Sequence, residues 1–373
     1  MAALAVALVR QGCRVVYVVE REMSEERARM GWRAPEMPGV SLRLAGSIVA
    51  MTQAADVAPP DAVHICQGLR GNGLVGVAQR RLRRRRARQW VVMEKLAGAG
   101  LAGALRRLLY RGLFLRWRHC LDGVLAIGAG TCDWVVARGM PAGRVFPFAY
   151  FLSSADSQSE SSAESKVSKS VSQSVGEGRR LLFVGQLIHR KRVDLLFDAL
   201  ARLNALPRID FQLEIIGDGP QAQALQMKAS QLLQGRVTWL GNLPMTEVRQ
   251  RMALADCLVL PSNHDGWGAV VSEALIAGTP AICSDACGVA DVVRASGKGG
   301  VFPAGDRDAL EALLYQVIKA GSPSEVARQE LAAWSAALTG DAGAAYLLKL
   351  LGGVELHDQP PSPPWWSAKE VAA

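Results

Sequence analysis

The stretch Ala255–Asp291, ADCLVLPSNHDGWGAVVSEALIAGTPAICSDACGVAD, decides how the rest of the chain is read. Its apolar run Cys257–Leu260 is short and bounded by Pro261, Ser262 and Asn263, which is the pattern of a strand buried in a parallel sheet. Gly266 and Gly268 flank Trp267 in the loop that follows. Ala269–Ala277 then reads as a helix, stopped by Gly278, Thr279 and Pro280 before a second strand at Ala281–Ser284. In open α/β sheets, ligands bind in crevices at the carboxyl ends of strands. A helix N-terminus facing such a crevice favours an anion, because its first N–H groups have no partner inside the helix.

Two acids frame the loop: Asp265 precedes it and Glu273 lies one to two turns into the helix, with seven residues between them. Ionised carboxylates accept charge-assisted hydrogen bonds and donate none, which suits a polyhydroxylated ligand such as a sugar or a ribose. The same pair also fits a turn former and a solvated helix face.

In its order of residues, the segment resembles the donor-binding segment of the retaining GT-B glycosyltransferases of family four. Those proteins carry an acid, seven residues and a glutamate; here Asp265 stands where a glutamate is more usual. AD before the strand, PS after it, an EAL helix, a GTP turn and then SD and CG complete the match. The resemblance implies two Rossmann-like doubly wound α/β domains facing a cleft, and transfer of a sugar from a nucleoside diphosphate sugar to an acceptor hydroxyl with retention at the anomeric carbon. It also implies that Glu273 binds the donor ribose, and that Asp265 holds the donor sugar together with the backbone N–H groups of Gly266, Trp267, Gly268 and Ala269.

Strand, loop and helix alternate on both sides of this segment from Arg180 onward, which predicts a doubly wound parallel sheet. LLFVG ends at Gly185 and is followed by the loop QLIHRKR and an amphipathic helix over Val193–Leu203. FQLEIIG ends at Gly217 before Asp218, and RVTWLG ends at Gly241. A departing diphosphate needs positive charge, and Arg190 and Lys191 lie in the first of these loops. In the family, the pattern is glycine, arginine, leucine, a few residues, then lysine. Gly185, Gln186, Leu187 and Lys191 align with it, Gln186 removes one charge, and Arg190 or Arg192 is the available substitute. Asp218 and Gly219, after Gly217, resemble the family's GDGP turn. No metal is expected where lysine and a helix terminus carry the charge, and no cofactor beyond the nucleotide sugar.

Upstream, Ser153–Val175 is low-complexity and nearly free of large apolar side chains, so residues 153–178 read as a linker or loop. The expected division is therefore residues 1–152 as an acceptor-side domain, 179–340 as the nucleotide-sugar domain, and 341–373 as a helix and tail returning to the first domain, anchored by Trp365 and Trp366. A chain of 373 residues is long for one core and fits two. The first domain opens on a helix-like stretch and lacks the initial strand and glycine-rich turn of the family pattern. A catalytically degenerate GT-B protein kept for binding or assembly is the alternative that this departure and Gln186 raise.

The charge is uneven. Residues 1–152 hold 23 Lys+Arg against 10 Asp+Glu, a balance of +13 within a chain of net +9. RRLRRRRAR at Arg80–Arg88 leads into further arginines at 106, 107, 111, 116 and 118. No nucleic-acid motif accompanies them. The basic face suits anionic lipid head groups, and hence a glycan or lipid-linked acceptor at the cytoplasmic, inner face of a membrane, as well as a solvated arginine-rich surface. No apolar run approaches the length of a membrane span, so such contact is peripheral. In the family, the corresponding strand often ends in a His or an acid near the acceptor, so the resemblance implies that Glu94, at the end of the strand Trp90–Met93, is the acceptor-side candidate, with a salt bridge to the arginine cluster as its other reading. The seven cysteines form no CxxC pair, so neither a zinc site nor a disulfide framework is expected.

Overall fold

In the computed structural model, residues 1–23, 34–96, 100–153, 178–352 and 361–367 are described. The serine-rich stretch expected as a linker lies outside them from residue 154 to 177. The strands, β1 to β12 in chain order, fall into two units.

The first unit comprises Met1–Phe151 together with the later helix Gly340–Gly352. Its main sheet has the order β3 (Val63–Gln67), β4 (Arg88–Glu94), β5 (Gly123–Ile127), β6 (Val145–Phe148), all parallel. The run GVLAI of β5 is buried throughout, as a strand covered on both faces must be. Position 123 has to be glycine, because a Cβ there would lie 2.3 Å from the Trp90 ring. Before this sheet the chain runs through a helix, Ala2–Arg10, and a separate parallel pair, β1 (Val16–Val19) with β2 (Ser41–Leu44). No strand precedes β1 among the described residues.

Helix Gly340–Gly352 closes this unit through close backbone approaches. A Cβ on Gly340 would meet the Ala3 carbonyl oxygen at 2.5 Å, and one on Gly343 would meet the Phe151 ring at 2.4 Å. Asp341 pairs with Arg10 at 2.9 Å, and the Tyr346 hydroxyl donates to the Pro147 carbonyl at 3.1 Å.

The second unit carries six parallel strands in the order β12-β11-β10-β7-β8-β9. They are β7 (Arg179–Val184), β8 (Phe211–Ile216), β9 (Val237–Gly241), β10 (Cys257–Leu260), β11 (Ala281–Ser284) and β12 (Gly299–Phe302). This is the doubly wound order in which the chain reverses direction at the sheet centre, between β7 and β10, so the crevice at their carboxyl ends is the ligand position. Asp256, buried just ahead of β10, holds that centre together. It accepts the Arg180 N–H at 2.9 Å and an Arg328 Nη2 hydrogen at 3.2 Å, tying β7, β10 and the helix Glu325–Trp334.

The tryptophan tail corrects one expectation. The short helix Pro364–Ser367 belongs to the second unit rather than the first. Trp365 is buried there with its ring 6.5 Å from that of Trp267, edge to face, because two large apolar rings are removed from water together. No helix among the described residues is long and apolar enough to cross a membrane.

Candidate functional site

At the reversal point, the loops leaving β7 and β10 are bonded to each other. The Asn263 N–H donates to the Arg190 carbonyl at 2.8 Å, and Arg190 Nη1 donates to the His264 carbonyl at 3.1 Å. Lys191 Nζ donates to Asp265 Oδ2 at 2.5 Å, and Arg190 Nη1 lies 3.8 Å from the same oxygen. Two cations thus share one carboxylate. Lys191 is only 8% exposed, so its ammonium is largely desolvated and its interactions are little screened.

Around that pair the backbone is drawn tight by glycines. A Cβ on Gly185 would sit 3.8 Å from Lys191 Nζ, and one on Gly217, whose φ is +128°, would meet the Gly185 carbonyl oxygen at 2.0 Å. The Asp218 carbonyl accepts the Leu187 N–H at 2.9 Å, and its side chain takes the Gly219 N–H at 2.7 Å. Gly217, Gly185, Lys191, Asp265 and Arg190 therefore form one chain of contacts, with Asp218 fixing the base of the loop.

Asp265 is positioned from the other side by the turn after β11. Its N–H donates to the Ala286 carbonyl at 3.2 Å, and its carbonyl accepts the Gly288 N–H at 3.0 Å. Gly268 caps the helix Ala269–Ile276 in the left-handed conformation, φ +91°, and that helix directs its first N–H groups toward the loop. Trp267 contributes only its backbone at this point. Its ring is buried, with Nε1 donating to Ser272 Oγ at 3.1 Å, and its carbonyl accepts the Val289 N–H at 2.8 Å.

Glu273 lies farther along the same helix, half-buried, and no ion pair holds it among the described residues. Burial pushes its carboxyl up to about 6, while the Arg249 charge pulls it down.

The structure also sorts the two arginines offered in place of the one that Gln186 lacks. Arg192 is committed: its guanidinium donates to both Asp194 carboxylate oxygens at 3.1–3.2 Å and to Asn263 Oδ1 at 3.2 Å. Arg190 is half exposed beside Lys191 and is the one left at the site. Two neighbours entered the sequence reading only through the PS and CG pairs. The Ser262 hydroxyl, just past β10, is buried without a hydrogen-bond partner among the described residues, and the Cys287 thiol lies 3.5 Å from Ser284 Oγ at the back of the Asp265 turn. In sequence, both look like ordinary turn and packing residues.

In the first unit, Glu94 ends β4 and accepts a hydrogen bond from the Tyr150 hydroxyl at 2.7 Å. Among the described residues its partner is thus a phenol rather than an arginine, and within the arginine run Arg81 pairs with Asp56. Among the described residues, no group of three or more His, Cys, Asp or Glu is arranged to hold a metal ion.

The two parallel sheets and the central reversal define the class by fold: α/β, of the GT-B type seen in solved glycosyltransferases. The structure of Anabaena HepE in complex with UDP matches with a TM-score of 0.68 over 94% of this chain and 96% of that one, at 14% identity. Residues 165–332 match the family described as Glycosyl transferases group 1. The 2-deoxystreptamine glucosyltransferase of Streptomyces kanamyceticus is 34% identical over 112 residues, 30% of this chain and 29% of that protein. The lipopolysaccharide 1,6-galactosyltransferase of Salmonella typhimurium is 34% identical over 143 residues, 37% of this chain and 38% of that protein. The chain thus aligns with about a third of the length of these two relatives.

Proposed function

We propose that the chain is a retaining glycosyltransferase that moves a sugar from a nucleoside diphosphate sugar to a hydroxyl of a glycan or lipid-linked acceptor. The observation that carries this reading is the bonding of Lys191 and Arg190 to Asp265 across the β7/β10 reversal, at the ligand position of a doubly wound sheet. The group 1 match over residues 165–332 and the UDP bound in HepE support it.

In this reading, Glu273 accepts the ribose hydroxyls. Asp265 and the N–H groups at the start of helix Ala269–Ile276 receive the donor sugar. Lys191 and Arg190 face the diphosphate; because they outnumber the single carboxylate that they share, one positive charge is left to neutralise the leaving group as the anomeric C–O bond breaks. The acceptor oxygen then bonds the same face of that carbon as its O–H bond breaks, the proton passing to the departing phosphate oxygen. Glu94, held by Tyr150, serves the acceptor side. The basic first unit supports peripheral contact with the inner face of a membrane, and the lipopolysaccharide-related relative supports a surface-glycan acceptor.

The test is calorimetric titration of the chain and of Glu273→Ala with a panel of nucleoside diphosphates and nucleotide sugars. Binding of one nucleotide that is lost in the variant supports the donor site and names the base for a turnover assay. No binding by the folded wild-type chain overturns the reading.

A further inference from the structure

The helix Gly100–Trp117 is apolar on two opposite sides. Gly103, Tyr110, Phe114 and Trp117 are buried, the last three within the cluster that includes Val91, Met93 and Val124. At 100° per residue, the opposite side carries Leu101, Leu105, Leu108 and Leu115, spaced i, i+4, i+7 and i+14 with Gly112 in the gap. These leucines are 91, 60, 68 and 43% exposed. A helix on the surface of a soluble domain ordinarily turns polar residues to water, so a second leucine stripe calls for something to cover it. The two apolar faces also cancel in any simple measure of amphipathic character, which hides the stripe from sequence inspection.

What borders the stripe identifies the cover. Exposed Arg111 lies on one flank and exposed Arg116 on the other, and no Asp or Glu occurs anywhere between Lys95 and Leu121. The preceding helix, Val75–Arg84, ends in Arg81, Arg83 and Arg84, and the Arg83 guanidinium sits 5.5 Å from the Trp117 ring, which joins the two basic surfaces. An apolar stripe with a basic rim suits a helix lying in the plane of an anionic bilayer, leucines in the acyl boundary and arginines at the phosphates. A second copy of this chain would set arginine against arginine.

We propose that helix Gly100–Trp117 is the docking surface for an anionic lipid bilayer, with Leu101, Leu105, Leu108 and Leu115 as the inserting residues. This rests on the membrane-contact part of the function proposed above and names the element that makes the contact.

The test is flotation of the full chain with vesicles of phosphatidylcholine alone and of phosphatidylcholine mixed with phosphatidylglycerol. Three proteins are compared: wild type, Leu105→Glu/Leu108→Glu and Arg111→Gln/Arg116→Gln. All four substituted side chains are exposed, and circular dichroism melts check that folding is intact. The expected result is binding to the mixed vesicles that weakens on raising salt, falls about tenfold or more in the leucine variant, and drops toward the phosphatidylcholine level in the arginine variant. Failure of the wild type to bind mixed vesicles, or equal binding by the leucine variant, overturns the proposal. So does a wild-type dimer in analytical ultracentrifugation that the leucine variant dissociates. Nucleotide titration of the same three preparations separates the two readings, because vesicle binding without nucleotide binding fails the donor site alone.

Discussion

Burial raises the Glu273 carboxyl to about 6, against 4.5 for an ordinary glutamate, so its titration falls within the working range of an enzyme. A carboxyl raised on folding binds its proton more tightly in the folded state. The stability it contributes is complete below the unfolded value and is lost as pH rises through about 6. Glu273→Gln is therefore expected to stabilise the protein by about 1–2 kcal/mol at pH 7.5 and by little at pH 4.5, read by urea denaturation at both values. Nucleotide affinity should move the other way in the wild type, strengthening from pH 5 to pH 7 as the carboxylate forms, with a flat profile in the glutamine variant. Lys191 offers a second contrast. Lys191→Ala leaves Asp265 without its nearest cation and is expected to lower turnover by about 10²–10³-fold, where Lys191→Met separates lost charge from lost volume.

At the scale of elements, the glycine contact between the ends of β7 and β8 sets how closely the loops leaving them approach. Gly217→Ala places a methyl group at 2.0 Å from the Gly185 carbonyl oxygen, in a backbone region that side-chain-bearing residues avoid. A loss of about 2–4 kcal/mol in chemical denaturation is expected. This second unit was also the most legible in the sequence. Buried parallel strands are written as apolar runs with glycine or turn residues at their ends, and Ala281–Ser284, Cys257–Leu260 and Phe211–Ile216 stand in the structure where those runs predict them. The helix at Val193 starts where the apolar period starts. Less could be read where a side chain had a choice of partner. Nothing in the spacing said that Arg192 would turn to Asp194 while Arg190 stayed at the site, because both are arginines in one loop and only the left-handed backbone at Arg192 separates them. Trp267 sits amid loop glycines like a ligand-facing residue, yet its ring pairs with Trp365, nearly a hundred positions away. Long-range packing of that kind leaves no local signature.

For the molecule as a whole, the buried Asp256 is the residue on which the second sheet most depends. Asp256→Ala removes the acceptor for Arg180 and strands the Arg328 guanidinium against Thr279 and the Ala253 carbonyl. A cost of about 3–5 kcal/mol is expected, with the loss visible as a lowered melting temperature and earlier proteolysis of the second unit. The first unit has a different dependence, set by the order in which the chain is made. Its closing helix, Gly340–Gly352, is synthesised only after all of residues 152–339. At ribosomal speeds of roughly 5–20 residues per second, that interval is about 10–40 s. Throughout it, the nascent chain presents the uncovered Ala3 backbone and the Phe151 ring, which Gly340 and Gly343 later seal. The first unit is thus completed only after the whole of residues 152–339 has been made, and its uncovered residues are natural clients of ribosome-bound chaperones.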